Sequence, residues 1–293
     1  MQSGILVVDK PSGWTSHQVV GRCRRLLGTR KVGHAGTLDP MATGVLVIGV
    51  GRGTRLLGHL ALTTKTYEAT IRLGQATNTD DADGEVTQAT RAVAVSDAAI
   101  ESALDALRGD IVQVPSTFSA IKVDGKRAYA LARAGADVEL AGRPVTVSRF
   151  EVLARRAARA EVAVTDLDVA VDCSSGTYIR ALARDLGASL GVGGHLTALR
   201  RTRVGGFDLA GALSPDELTA DPPQAPALMP LGEVARRSFA VVELTDDQAR
   251  DVGYGRPLSI TVPDDPTALL HQHDLLALYR PDGDRAVPVA VLA

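Results

Sequence analysis

Two stretches, Val145 to Leu153 and Glu161 to Cys173, carry apolar residues in steps of two, with Leu167, Val169, Val171 and Cys173 in unbroken alternation. That period belongs to a strand with one buried face. Only seven residues separate the two stretches, and a parallel connection needs a dozen or more. They are expected to pair antiparallel. Residues 4–9 and Thr66 to Leu73 also alternate, and Val45 to Val50 has the continuous apolar character of a buried strand. Helical spacing is interleaved with these strands. The predicted class is therefore α+β, with a largely antiparallel mixed sheet.

The helices are read from period and caps. Ser16 is placed as an N-cap ahead of Val19, Val20, Cys23, Leu26 and Leu27, with Arg22, Arg24 and Arg25 off that stripe. Thr54 to Leu62 reads as a short helix. Ser96 caps a helix with Ile100, Leu104 and Leu107 inside and Gly109 as its stop. Tyr178 to Leu190 places Ile179, Leu182, Ala183, Leu186 and Leu190 on one face, and Arg180 and Arg184 leave that face together. Residues 28–44 and 74–90 read as loops, the second acidic. Asp124-Gly125 is a type I′ turn signal that would pair Phe118–Val123 with a strand after Arg127, although Ala128 to Ala134 has a helical look. The proline-rich stretch 213–230 is taken as a boundary. It gives one domain over 1–230 and a small β-rich one over 231–293 with short strands and no long helix.

Net charge is −2 over 293 residues, but its distribution is uneven. Residues 1–60 carry eight basic side chains against two acidic ones, and 176–206 carry five arginines against one acid. Residues 211–293 carry six bases and thirteen acids. A polyanion could lie on the first two segments and avoid the third. Only five of the 32 basic residues are lysine, so phosphate contacts would be mostly guanidinium contacts. The N-terminus shows no signal-peptide pattern, and the longest apolar run is far short of the ~20 residues that span a bilayer. Two cysteines, Cys23 and Cys173, exclude a disulfide framework and a cysteine-rich zinc site. A reduced, cytoplasmic protein is expected.

Three motifs fail on inspection. Gly49-Val50-Gly51-Arg52-Gly53 follows a strand, but Thr54 stands where a dinucleotide turn needs its last glycine, and no acid closes the unit. Asp80-Asp81-Ala82-Asp83-Gly84, aligned as a calcium loop, has Thr79 and Thr90 at its first and last ligand positions. His271 and His273 sit two apart in an expected surface turn, and no metal is predicted. The segment Gly33 to Gly44 is different. It holds His34, Asp39 and three glycines between two apolar elements. A long irregular loop of this kind adds little core and allows close backbone approach to a ligand.

With that segment in view, the chain resembles the bacterial tRNA pseudouridine-55 synthases of the TruB type. Lys10-Pro11-Ser12-Gly13-Trp14-Thr15-Ser16 is similar to the family's first motif, and Gly33 to Leu46 to the motif with its catalytic aspartate. Lys65-Thr66-Tyr67 resembles the strand with the active-site tyrosine, and Gly74 to Gly84 the acidic loop. Cys173 to Arg180, continuing through Gly187, resembles the arginine motif, and His195 to Arg201 the Leu-Arg-Arg segment. The resemblance runs from residue 10 to about 207. Pro115 to Arg143 resembles an RNA-gripping insertion, and 232–293 a PUA module only weakly.

The resemblance implies a cofactor-free isomerisation of uridine 55 in the T loop of tRNA to pseudouridine, with the target base flipped out of its stack. Asp39 is implied as nucleophile or base, Arg180 as its partner, and Asp81 as the carboxylate that steadies Arg180. Tyr67 would pack on the uracil, Leu199 close over the pocket, and Lys10 and Pro11 shape its floor. His34 would fill the vacated place in the RNA, and Tyr178 lies in the same motif as Arg180. Arg200 and Arg201 would meet phosphates. The implied partner is the T arm of tRNA, with no membrane and no protein partner required, and the implied state is a monomer. Two alternatives are an RNA-binding or tRNA-folding protein without catalysis, and a guide-RNA-dependent synthase.

Overall fold

The computed structural model describes residues 2–92, 95–118, 122–123, 126–127, 140–159, 162–222 and 224–292. The chain divides into two compact units, residues 1–62 with 203–293, and residues 63–202.

The first unit begins with β1 (Gly4–Lys10), α1 (Ser16–Leu26), β2 (Val32–Ala35) and β3 (Thr43–Val50). Strand β3 is central: β1 pairs antiparallel along its length and β2 pairs with Val47–Val50. Strand β2 falls inside the expected loop 28–44. Its four residues, two of them Gly33 and His34, are too few to show a period, and β3 supplies the ladder that makes them a strand. The N-cap of α1 is Thr15, one residue earlier than expected, in a reciprocal capping box with Gln18. Val19, Val20, Cys23 and Leu26 face inward as predicted. A 3-10 turn over Gly51–Leu56 leads into α2 (Leu57–Ala61), where a short helix was expected.

In the second unit β4 (Lys65–Leu73) runs into a small antiparallel hairpin, β5 (Gln75–Thr77) with β6 (Val86–Ala89). The acidic loop is thus the tip of a hairpin, invisible in the sequence because β6 has no buried residue. Next come α3 (Asp97–Asp105), capped by Ser96 as expected, and β7 (Gly109–Gln113). The short strands β8 (Lys122–Val123) and β9 (Lys126–Arg127) pair antiparallel with each other, and the turn signal Asp124-Gly125 lies outside the described residues. The helical alternative at 128–134 and most of the expected insertion lie outside the described residues. The long stretches form β10 (Arg143–Arg159) and β11 (Ala163–Cys173), paired antiparallel. After α4 (Ile179–Ser189) comes β12 (Gly194–Val204), and the strand order in this unit is β12-β4-β11-β10-β7.

Along β4 the side chains of Lys65, Tyr67, Ala69, Ile71 and Leu73 form the buried face. The opposite face carries a cross-strand polar ladder to β11, with Thr70 donating to Asp168 at 2.8 Å and Arg72 forking onto Asp166 with two 2.8 Å bonds. Helix α4 lies against the start of β12 at backbone distance. A Cβ on Gly187 would stand 2.1 Å from the Gly194 nitrogen, so only glycine permits this approach.

The chain returns to the first unit through β13 (Phe207–Asp208), which pairs with the last residues of β12. Then follow α5 (Pro215–Thr219), α6 (Leu231–Ser238), β14 (Val241–Glu243), α7 (Asp246–Gly253), β15 (Thr267–His271), β16 (Asp274–Asp282) and β17 (Arg285–Val291). Strands β14 to β17 form one sheet in chain order, with β14 parallel to β15 and the other pairs antiparallel. Helices α6 and α7 were not expected in this β-rich stretch; at eight residues each they are too short for a clear period. Leu231 and Val234 of α6, with Leu270 and Leu278 of the sheet, share one core with Ile5, Val7, Val45 and Val47. Each such side chain contributes roughly 1.5–3 kcal/mol by leaving water. Residues 231–293 therefore fold onto the N-terminal strands as part of one unit. Among the described residues no helix is long and apolar enough to cross a membrane.

Candidate active site

The expected site residues fall into two groups, one in each unit. In the first unit the segment Lys10–Ser16 holds the Asp39 loop. Lys10 is fully buried, and its ammonium donates to the carbonyls of Pro11 at 2.9 Å, Trp14 at 2.6 Å and Pro40 at 3.1 Å. Gly13 N donates to the Pro40 carbonyl at 2.8 Å, and Ser12 Oγ to that of Met41 at 3.3 Å. Ser16, displaced from the cap by Thr15, accepts from Leu38 N at 2.9 Å and lies 3.2 Å from the Leu38 carbonyl as donor. The backbone on both sides of Asp39 is thereby fixed by residues 22 to 30 positions upstream. Asp39 is half-buried, and its carbonyl accepts from Ala42 N at 3.1 Å, closing a turn. His34, on β2, makes an edge-to-face ring contact with His17 at 5.5 Å. Pro11 is half-buried.

In the second unit the structure brings Arg180 and Asp81 together. Arg180 is 4% exposed. Its Nη1 lies 3.4 Å from Asp81 Oδ2 and donates to the Thr79 carbonyl at 2.9 Å and Ser116 Oγ at 3.3 Å. Its Nη2 donates to the Phe118 carbonyl at 3.0 Å. Asp81 Oδ1 accepts from Thr79 Oγ1 at 2.6 Å and Asp83 N at 3.1 Å. Gly84 closes this loop tightly: a Cβ there would stand 2.2 Å from Thr79 Oγ1.

The neighbouring pair repeats the arrangement. Arg184 meets Asp80 at 3.4 Å and Asp185 at 2.8 Å, and donates to the Val114 carbonyl at 2.7 Å. Asp80 has φ 61°, a left-handed conformation that aspartate tolerates. Burial pushes its carboxyl above the ordinary range, and Arg184, Ser116 and Arg180 oppose that rise. Arg184, Asp80, Thr79 and Ser116 were not singled out as site residues. The four-residue spacing of Arg180 and Arg184 was visible, but the hairpin tip that receives them was not.

Tyr67 is buried on β4, opposite Val171 of β11. Tyr178 is the N-cap residue of α4, and the amide of buried Gln113 grips its backbone from both sides, accepting from Tyr178 N at 2.8 Å and donating to Tyr178 O at 3.1 Å. Leu199 is buried on β12. Arg200 is half-buried, whereas Arg201 is 1% exposed and so does not present its guanidinium to solvent.

Lys65 shares the buried face with Tyr67. Burial and then the nearby Arg201 cation lower its pKa to about 8, with Cys173 opposing. Cys173, its register partner on β11, is pushed up to about 11 by burial, against the hydroxyl of Thr177 and the charge of Lys65. His195 at the start of β12 is held 2.9 Å from the Gln75 carbonyl through Nδ1, and burial lowers its pKa. His271 is 2.8 Å from Asp246. Among the described residues no group of three or more His, Cys, Asp or Glu side chains could hold a metal ion.

Residues 24–179 match the family model described as TruB family pseudouridylate synthase (N terminal domain), and residues 180–222 match that of the tRNA pseudouridylate synthase B C-terminal domain. A protein of Cutibacterium acnes named tRNA pseudouridine synthase B is 60% identical, over 97% of this chain and 95% of that one. Proteins of the same name from Nocardia farcinica and an Arthrobacter species are 58% and 53% identical, over 99% and 100% of this chain and 93% and 97% of theirs. Among solved structures, a Cbf5-Nop10-Gar1 complex contains a chain with TM-score 0.73 and 24% identity, over 99% of this chain and 85% of that one. An H/ACA RNP bound to a substrate RNA contains one with TM-score 0.71 and 23% identity, over 99% and 85%. At that identity these two structures speak to the fold alone.

Proposed function

The chain belongs to the TruB family of pseudouridylate synthases, and from that premise we propose that it isomerises uridine 55 in the T loop of tRNA to pseudouridine. In this reaction the bond between uracil N1 and the ribose breaks, the base turns, and C5 bonds to the same sugar carbon. The C5 hydrogen leaves as a proton and N1 gains one, so mass and oxidation state are unchanged. Neither a redox cofactor nor phosphate energy is required.

The observation that carries this reading is the anchoring of the Asp39 loop. Four side-chain and backbone groups between Lys10 and Ser16 make five hydrogen bonds that fix the backbone of Leu38, Pro40 and Met41. A carboxylate positioned this way is preorganised to act on a bound nucleotide, as nucleophile or base. Arg180, steadied by Asp81, is the cation that the family resemblance assigns to the same reaction. Tyr67 offers a ring face for the extruded uracil, and Leu199 an apolar cover. Lys10 acts on the site through the loop it holds, Pro11 through the carbonyl that accepts from the Lys10 ammonium, and Gln113 fixes the backbone at Tyr178. His34 takes the place of the flipped base. Arg200 is the better placed of the two neighbouring arginines for phosphate, because Arg201 is buried. The T arm is recognised by its loop fold rather than by sequence. The protein acts as a monomer in the cytoplasm and needs no guide RNA.

The test is to incubate the protein with an unmodified tRNA transcript and no other RNA, then locate pseudouridine by fragment analysis. Modification at position 55, and none in a transcript with cytidine there, supports the reading. Modification only after a guide RNA is added, or at other positions, contradicts it.

A further inference from the structure

On the outer side of α1, away from its buried stripe, Trp14, Gln18, Gly21 and Arg25 line a hollow of about 250 Å³. Residues 18, 21 and 25 lie on one helix face, and Trp14, just before the N-cap, closes one end. An outer helix face ordinarily carries straight-chain polar residues. This one carries the chain's single tryptophan, half-buried, and a glycine in the helix interior. Glycine there weakens a helix relative to alanine. Packing gives no reason for it, because a Cβ on Gly21 would meet nothing within 4 Å. What the missing side chain provides is open space beside an indole ring.

The charge on the rim is also unusual. Arg22 donates to the carbonyls of Leu218 at 2.6 Å and Ala220 at 2.8 Å, and Arg24 to that of Val32 at 3.0 Å. Both are thereby held against the protein. Arg25 is exposed and has no hydrogen bond or ion pair among the described residues. Gln18 uses its Oε1 in the capping box, which leaves its amide nitrogen as a donor on the rim. The hollow is rigidly tied to the Asp39 loop, because the Trp14 carbonyl and the Pro40 carbonyl share the Lys10 ammonium.

We propose that this hollow is a second RNA-binding subsite, in which the Trp14 ring stacks an unpaired nucleobase of the substrate RNA other than the reacting uridine, and Arg25 holds an adjoining phosphate. The chemistry is that of single-stranded nucleic-acid recognition: an aromatic face for a base beside a guanidinium for the backbone. The charge is complementary, since residues 1–60 carry eight bases and two acids. The proposal rests on the reading that the chain acts on RNA. It adds a contact that positions the substrate against the same segment that fixes Asp39.

Because Trp14 is the only tryptophan, its emission reports the hollow directly. The experiment titrates the full-length protein with end-labelled, unmodified tRNA transcript at low salt, following RNA anisotropy and protein emission together. Wild type is expected to show saturable quenching with the same midpoint as the anisotropy change. Trp14→Leu and Arg25→Glu should each raise Kd about tenfold, within the range found for losing one stacked base. Gly21→Leu, which fills the hollow and removes a helical glycine, should also weaken binding about tenfold while its thermal midpoint is unchanged or higher. If the RNA binds by anisotropy but emission does not change and all three variants bind within twofold of wild type, the subsite is wrong and the RNA reading stands. If folded wild type binds no RNA at all, both are overturned.

Discussion

Two acid-bearing loops in this molecule are held in opposite ways. Around Asp39 the anchors fall on the backbone of its neighbours, with Ser16 on Leu38 and Lys10 and Gly13 on Pro40. Around Asp81 the carboxylate is itself the anchor, taking bonds from Thr79 and Asp83 through one oxygen and facing Arg180 through the other. The first arrangement fixes an acid's position through the chain on either side of it. The second uses the acid to fix an arginine. The difference separates a group suited to react from a group suited to support.

The sharpest way to break this comparison is to exchange each acid for its amide. Asp39→Asn should lower turnover at least about a thousandfold, as loss of a reacting group does. Asp81→Asn keeps an acceptor for Thr79 but removes the charge that faces buried Arg180 at 3.4 Å, and should cost about 1–3 kcal/mol in urea unfolding. A turnover loss as large for Asp81→Asn as for Asp39→Asn would erase the distinction. Arg180→Met goes further on the second loop. It removes the buried cation that faces Asp81 and the donor to the Phe118 carbonyl, and should destabilise by about 3–5 kcal/mol.

Ser16 sharpens the comparison on the first loop. Ser16→Ala strands the buried Leu38 N–H, at a cost of about 1–3 kcal/mol. Thr15→Ala removes only the helix cap, at about 1 kcal/mol. Single-turnover kinetics should show a slower chemical step for Ser16→Ala with tRNA affinity unchanged, and a normal step for Thr15→Ala. Similar rates in both would mean that the Leu38 anchor does not set the position of Asp39.

The smallest effect concerns Lys65, held near the second loop's unit core. Its pKa is lowered from 10.5 to about 8. Between about pH 8 and 9 the unfolded chain keeps a proton that the folded chain releases, so stability rises with pH. The rise is at most about 1 kcal/mol over that unit. Cys173 and Cys23, raised from 9.0 to about 11, act in the opposite sense and only above about pH 9. Unfolding free energies of Lys65→Met at pH 8 and 9 should lack the rise seen in wild type.

What the sequence made legible follows the length of each signal. β10 and β11 were visible because alternation persists over many residues, and α4 because its apolar stripe spans three turns. β2, β5 and β6 were missed: three or four residues show no period, and their strand character comes from a partner's ladder. Helices α6 and α7 were missed for the same reason. Asp39, Tyr67, Asp81 and Arg180 could be named as candidates because they sit in recognisable motifs. Ser16 was named too, but as a cap, since its bond to Leu38 crosses 22 residues and leaves no local trace. The pairing of Arg184 with Asp80 depends on a hairpin tip that only the folded chain places opposite α4.

The most direct measurement of the central claim is release of tritium from uridine labelled at C5 in an unmodified tRNA transcript, with no cofactor, metal or second RNA added. The account predicts release approaching one equivalent per tRNA with wild type and none with Asp39→Asn. Folded wild type that binds the transcript and releases no tritium would contradict it.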